Sequence, residues 1–157
     1  MTKPKEDDSN KKLATNRKAF HDYFIEDKQE AGIVLLGTEV KSIKQGNVSL
    51  LGSYASVEKG QVMLHATNVS SYDCGSRNNH DPLRKRRLLL HASEIRKLAQ
   101  KIDQKGYTLI PLSIYTKRGM IKVEIGLCKG KREYDKRETL KRKTADKETR
   151  REMQRRV

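Results

Sequence analysis

The segment "MIKVEIGLC" (Met120–Cys128) alternates strictly, with Ile121, Val123, Ile125 and Leu127 on one side of an extended chain and Lys122 and Glu124 on the other. A period of two is the signature of a strand with one buried face and one wet face, and no helix can present it. The preceding "YTLIPLSIY" (Tyr107–Tyr115) is also strand-like, and Lys117-Arg118-Gly119 between them is a turn signal. The two segments read together as an antiparallel hairpin. After Cys128 the pattern stops, and the sequence to Val157 has no apolar face to give to a core.

The same contrast divides the chain. From Ala19 to Cys128, 46 of 110 residues are apolar, a normal share for a folded domain. The sequence predicts a flexible arm over 1–18, a folded domain over 19–130 and a basic tail over 131–157. Within the domain, "FHDYFIED" and "AGIVLLG" read as two strands separated by "KQE". "TEVKSIKQG" reads as a short helix capped by Thr38 and stopped by Gly46. "SYASV" and "QVMLHATNV" flank Glu58-Lys59-Gly60, a second hairpin. "LLLHASEIRKLAQKIDQKG" carries Ile95, Leu98, Ala99 and Ile102 at helical spacing; His91 and Glu94 form a capped start and Gly106 a stop. The sum is about six antiparallel strands with two or three helices. Hairpins with one long connection favour a small closed barrel, of the oligonucleotide-binding type, over an open sheet with bare edges.

Charge points to the partner. The chain carries 35 Lys and Arg against 20 Asp and Glu, a net charge of +15, and Lys129–Val157 alone holds 13 basic and 6 acidic residues. Such an excess is rewarded by phosphate neutralisation and counterion release, which makes nucleic acid the first reading and an anionic membrane surface a distant one. The N-terminus "MTKPKEDDSNKK" has no apolar signal region and no run approaches membrane-spanning length, so a soluble cytoplasmic protein is expected. Cys74 and Cys128 are too few and too isolated for a disulfide framework and read as reduced thiols. The tail, rich in Lys, Arg and Glu but without an apolar stripe, is expected to be disordered alone and to fold on an anionic surface.

Catalytic signals are weak. No two of His21, His65, His80 and His91 stand at metal-ligand spacing, and no metal or cofactor is expected. His80-Asp81 in an Arg-rich loop has the composition of an acid–base pair for RNA cleavage, but an Asx turn before Pro82 is the favoured reading. "GLCKGK" (Gly126–Lys131) has three residues between its glycines where a phosphate loop needs four, and Arg132 follows the lysine in place of Ser or Thr. For Arg84-Lys85-Arg86-Arg87, a phosphate grip and a solvated loop both remain open.

Four stretches in order, "NRKAFHDYFIEDKQEAGIVLLGTEVKSIKQG" (Asn16–Gly46), "NHDPLRKRRLLLHASEI" (Asn79–Ile95), "KGYTLIPLSIY" (Lys105–Tyr115) and "KVEIGLCKGKREYDKRE" (Lys122–Glu138), resemble the SsrA-binding protein family, also called small protein B. The resemblance implies an oligonucleotide-binding barrel without enzymatic activity. It implies binding to the tRNA-like domain of transfer-messenger RNA and delivery of that RNA to stalled bacterial ribosomes for trans-translation. The barrel would stand where an anticodon arm stands, the tail would become helical in the empty mRNA channel, and elongation factor Tu would join through the alanylated RNA. Carried over by position, the RNA-binding residues are Asn16, His21, Tyr23, Glu30, Glu39, Lys41, Cys128, Lys129, Gly130 and Lys131. Those facing the decoding centre are Tyr134, Asp135, Lys136 and Arg137. Two departures stand out: Cys128 occupies a position where the family usually has alanine, and "NVSSY" (Asn68–Tyr72) replaces the usual His-Ile-x-Pro-Tyr. The competing reading is a general RNA-binding or ribosome-associated barrel without this RNA specificity.

Overall fold

The computed structural model describes residues 11–73, 79–103 and 106–155. It is a mainly β protein with nine strands and four helices among those residues. In chain order they are β1 (Lys12–Thr15), α1 (Arg17–Asp22), β2 (Tyr23–Ile33), α2 (Gly37–Lys44), β3 (Val48–Ser49), β4 (Tyr54–Glu58), β5 (Gln61–His65), β6 (Asn68–Val69), β7 (Arg86–Leu89), α3 (Ala92–Asp103), β8 (Tyr107–Lys117), β9 (Met120–Gly130) and α4 (Glu133–Arg155). Residues 1–10 of the expected arm and Cys74 lie outside the described residues.

The central hairpin forms as its alternation requires. β8 and β9 pair from Tyr107↔Lys129 to Lys117↔Met120, with one irregularity between Pro111 and Ser113. Arg118 and Gly119 turn the corner with φ of 51° and 76°, and Lys59 and Gly60 do the same between β4 and β5 at 49° and 72°. Both are two-residue turns with left-handed centres, whose twist matches that of the strands. The large sheet runs β1-β8-β4-β5-β7-β2-β9, and β9 returns to β8. Six strands thus pair in a ring, but the ring is partial. It is thin where β4 meets β8 through Ala55↔Leu109 and where β2 meets β7 through two residue pairs.

Most of the ring's inner face is one apolar cluster that includes Leu64, Leu109, Ile114, Val123, Ile125 and Leu127; α3 adds Leu98, with Ile95 and Ile102 packed beside it. A second, smaller cluster of Ala19, Ile110, Leu112 and Cys128 lies under α1. β8 serves both, which is why every residue from Leu109 to Ile114 is buried and "LIPLSI" shows no alternation. The wet face expected of β9 likewise ends at Glu124, because Gly126 and Cys128 are covered.

Several expectations change. "FHDYFIED" and "AGIVLLG" do not form two strands: Phe20–Asp22 belongs to α1, and Tyr23–Ile33 is one strand that crosses "KQE" because β9 pairs along its length. The structured region starts before residue 19, since β1 pairs with β8 and Asn16 caps α1. Leu88 and Leu89 are strand rather than helix, and α3 starts at Ala92, where the His91 amide donates to Glu94 Oε2 at 3.0 Å. Thr38 is not a cap. Leu36 precedes α2 without a side-chain cap, and the Thr38 hydroxyl instead lies 2.9 Å from His80 Nδ1. The tail, expected to be disordered alone, is the 23-residue helix α4. It has no proline or glycine, and acids stand four residues before bases at Glu138–Arg142 and Asp146–Arg150, the spacing that favours a helix without a core.

The long connection from β6 to β7 is held by a buried ion pair. Arg86 is fully buried, and its Nε donates to Glu39 Oε2 of α2 at 2.9 Å. Its Nη1 donates to the Thr67 carbonyl at 2.8 Å and its Nη2 to the Pro82 carbonyl at 3.1 Å. Arg84 donates through Nε to the other Glu39 oxygen. Burial works against the Glu39 charge more than any single neighbour favours it, but the two guanidiniums together hold its carboxyl below the usual range. The group therefore contributes stability above the ordinary glutamate value of 4.5, which is lost as pH falls through the lower folded value.

Arg86→Leu should lose about 3–5 kcal/mol by leaving the buried Glu39 charge with Arg84 alone and the Thr67 and Pro82 carbonyls without their donor, whereas Glu39→Leu with Arg86→Leu should lose less; urea unfolding of the three proteins measures both. The deficit of the Glu39→Gln variant should be complete at pH 7 and should narrow as pH drops below about 4.5, because only the wild type then loses an ionised carboxylate. A Cβ on Gly126 would lie 2.8 Å from Leu112 Cδ1 and 3.2 Å from Cys128 Sγ, so Gly126→Ala should lower stability by about 1–3 kcal/mol in the same assay.

Candidate nucleic-acid interface

Asn16 sets the position of α1. Its Oδ1 accepts from the Ala19 amide at 3.2 Å, its Nδ2 donates to the Pro111 carbonyl at 3.0 Å, and its own amide donates to Leu112 O at 2.8 Å. With those bonds made and 6 % of its surface exposed, Asn16 is a cap and a strut. What it presents is the exposed face of α1. Arg17 and Lys18 point out, Phe20 is 38 % exposed, and His21 and Tyr23 are half-buried.

The start of β2 and the end of β9 bring the tail to the same place. Tyr23 pairs with Gly130 and Phe24 with Lys129. The Lys131 amide donates to the Asp22 carbonyl at 2.9 Å, and its ammonium reaches Thr139 Oγ1 of α4 at 3.2 Å while lying 5.0 Å from the Phe24 ring centre. The Lys28 ammonium lies 5.8 Å from the Phe20 ring. Asp22 Oδ1 meets His21 Nδ1 at 2.7 Å and the Lys136 ammonium at 3.8 Å, and the bond to His21 is the main cause of its lowered carboxyl pKa. Half-exposed aromatic rings with ammonium groups beside them, next to a basic helix, form a surface suited to single-stranded or irregular RNA: rings stack on bases and cations take phosphates.

His21, Tyr23, Lys129, Gly130, Lys131 and Lys136 thus gather at one end of the sheet. Arg137 is exposed one residue further along α4; Asp135, half-buried, offers its carbonyl to the Thr139 hydroxyl at 2.8 Å. Tyr134 lies in the first turn of α4, with its side chain outside the described residues. Glu30 is seven residues along β2, about 24 Å from Tyr23 at strand rise, and forms a separate polar patch. There it accepts from the Tyr115 hydroxyl and pairs with the Lys117 ammonium at 3.3 Å; the bond from Tyr115 is the main cause of its lowered carboxyl pKa. Lys41 stands on α2 with its ammonium 5.3 Å from the Tyr72 ring.

Two carried-over residues are corrected outright as side-chain contacts. Glu39 has no exposed surface and is the anion of the buried pair with Arg84 and Arg86. Cys128 is fully buried in the cluster under α1; its thiol is 3.4 Å from the Gly126 carbonyl, and burial pushes its pKa up to about 11. The RNA-cleavage reading of His80 is also removed. His80 is 5 % exposed, with one ring nitrogen on Thr38 and the other 2.8 Å from the Val69 carbonyl, while Asp81 accepts from the Leu83 amide in an Asx turn. The basic cluster splits in two: Arg84 and Arg86 turn inward, while Lys85 and Arg87 are exposed. Sequence reasoning does not single out Phe20, Phe24 and Lys28. Their signal lies in "KAFHDYFIEDK", where phenylalanines alternate with charge, but that pattern also fits a strand with a buried face.

Comparison with known proteins identifies the family. The family model described as SmpB protein matches residues 13–155. The SsrA-binding protein of Geobacillus thermodenitrificans is 57% identical over 138 residues, 88% of this chain and 89% of that protein. The one from Bacillus subtilis is 56% identical over 140 residues, 89% and 90% of the two chains. Desulfitobacterium hafniense has one 54% identical over 138 residues, 88% of each. A solved chain described under "tmRNA-SmpB: a journey to the center of the bacterial ribosome" superposes with a TM-score of 0.65 at 47% identity, covering 83% of this chain and 94% of that one. Its basic and aromatic end, its ring of strands and its near-complete match to these relatives place the chain in the SmpB protein family.

Proposed function

We propose that the chain binds the tRNA-like domain of transfer-messenger RNA and carries it to stalled bacterial ribosomes for trans-translation. The observation that supports this most is identity of 54–57% to SsrA-binding proteins across about nine-tenths of the chain, with the aromatic and basic residues of α1, β2 and β9 collected at one end. The partial ring of strands serves as an oligonucleotide-binding type of barrel, and the protein works in the cytoplasm as a binding protein, not an enzyme.

In this reading two surfaces divide the work. Glu30, far along β2 from the tail's exit, and Lys41 of α2 contact the tRNA-like domain, and Glu30 exchanges its bond with Tyr115 for one from a base edge. His21, Tyr23, Lys129, Gly130 and Lys131 hold RNA beside the tail's exit. α4 is about 34 Å long at helical rise, and from Lys141 to Arg155 every residue is exposed. A rod of this kind, with nine basic residues to six acidic ones, suits a narrow channel walled by phosphates. Tyr134 stacks on ribosomal RNA there, Lys136 and Arg137 meet phosphates, and Asp135 helps to orient them. Elongation factor Tu joins through the alanylated RNA.

The test is binding of the full-length chain, and of a version truncated after Lys131, to the tRNA-like domain and to an elongator tRNA over a salt series. A strong preference for the tRNA-like domain that survives truncation is expected. The truncated form should show a salt slope shallower by about 0.7–0.9 for each phosphate that the tail neutralises in the full-length chain. Equal binding of both RNAs, abolished for the most part by truncation, would leave only a general RNA-binding protein.

A further inference from the structure

The geometry points to a nucleobase-binding pocket between α1 and β4, with Tyr54 as its stacking residue, which takes an unstacked base of an RNA strand. The pocket holds about 300 Å³ and is lined by Tyr23 and Tyr54, by the buried Ala19 and Ile110, and by Lys18 and Asp22. Its size is that of a small-ligand site, and it combines apolar walls with a few polar groups, as such sites do.

Tyr54 is the unusual member. It opens β4 yet is 46 % exposed and belongs to neither apolar cluster. Its ring is nevertheless fixed, stacked on His65 with centroids 4.8 Å apart and planes 11° from parallel. His65 in turn is buried, with Nε2 2.7 Å from Ser56 Oγ and 3.1 Å from Glu58 Oε1. An aromatic ring held in place at the border of a cavity loses little side-chain freedom when a flat ligand stacks on it. Tyr23 lines the same cavity, and the exposed Lys18 supplies a cation for the phosphate adjoining a bound base. The site rests on the RNA-binding reading above and adds to it a residue, Tyr54, and a defined recess for one nucleotide.

The test uses the full-length chain, a short single-stranded RNA carrying one unpaired 2-aminopurine, and adenosine monophosphate as a free nucleotide. Binding of the RNA should quench the 2-aminopurine. Tyr54→Ala should abolish the quenching and weaken binding about ten- to a hundredfold, with the protein still folded and the salt slope unchanged, because the substitution removes a stacking partner and leaves every phosphate-binding cation in place. Tyr54→Phe should keep both properties, and Lys18→Gln should keep the quenching while lowering the slope by about 0.7. Wild-type affinity and quenching in Tyr54→Ala, or equal loss in Tyr54→Phe and Tyr54→Ala, would overturn the assignment. Tyr54-dependent binding of adenosine monophosphate with no binding of the RNA would make this a free-nucleotide site and overturn it as an RNA contact. Loss of tRNA-like-domain preference in the preceding experiment, with Tyr54-dependent quenching intact here, would remove the delivery role and leave the pocket standing.

Discussion

The carboxylate of Glu39 holds together parts of the chain that have no other reason to meet. It comes from a two-turn helix and receives one guanidinium from Arg84 and another from Arg86, so α2 is tied to the start of β7. Arg86 extends the link through its remaining donors to the carbonyls of Thr67 and Pro82 on both sides of the long polar connection. Replacing such a pair by apolar residues often costs little, but removing one partner leaves a charge without solvent or counterion. The pair thus acts mainly as a constraint: it specifies where α2, Thr67 and Pro82 lie relative to the start of β7. His80, bonded to Thr38 and to the Val69 carbonyl, repeats the tie between α2 and this connection.

The placement of β7 has consequences for the ring. β7 bridges β5 and β2, pairing with β2 through only two residues, and without it no strand would join β5 to β2 on that side of the ring. Across the ring, β8 is buried on both faces, toward the main cluster on one side and toward α1 on the other. Asn16 joins the second arrangement by bonding the carbonyls of Pro111 and Leu112 while capping α1. The bond to Pro111 falls beside the irregularity in β8, where the strand is free to offer a carbonyl to a side chain. α1 is therefore fastened before any RNA arrives, and its outward residues are presented on a rigid base.

The parts legible in the sequence are those set by local pattern. The alternation of Ile121, Val123, Ile125 and Leu127, the turn at Arg118-Gly119 and the spacing of Ile95, Leu98 and Ile102 each place an element without knowledge of the rest. Partner choice is not legible. An acidic residue on a short helix and an arginine in a basic loop look like surface groups until the fold brings them together, so nothing local opposes the RNA contact that the resemblance implies for Glu39, and Arg86 stays a residue of open role. Cys128 misleads for a related reason: position in the family's motif says that the backbone passes an RNA-facing region, not that the side chain points outward. At the end of β9, between the buried Leu127 and the exposed Lys129, the thiol turns under α1.

The ring and α4 are joined by a few contacts between charged and polar groups. Asp22 meets His21 on its own helix and Lys136 of α4, while the Lys131 ammonium lies within reach of the Phe20 carbonyl and of Thr139 on α4. These are small, partly exposed contacts, each worth little in water. They orient the first turns of α4 against α1, but a phosphate arriving at Lys131 or Lys136 offers either cation a stronger partner than a lone carboxylate or hydroxyl. RNA engaged at α1 would therefore compete with the contacts that set the direction of the tail. An exposed helix with weak anchors at its root can be re-aimed at low cost, whereas α1, fixed by Asn16 and packed over Ile110 and Leu112, cannot. The arrangement joins α1, fixed on the sheet, to an exposed helix through a few partly exposed polar contacts.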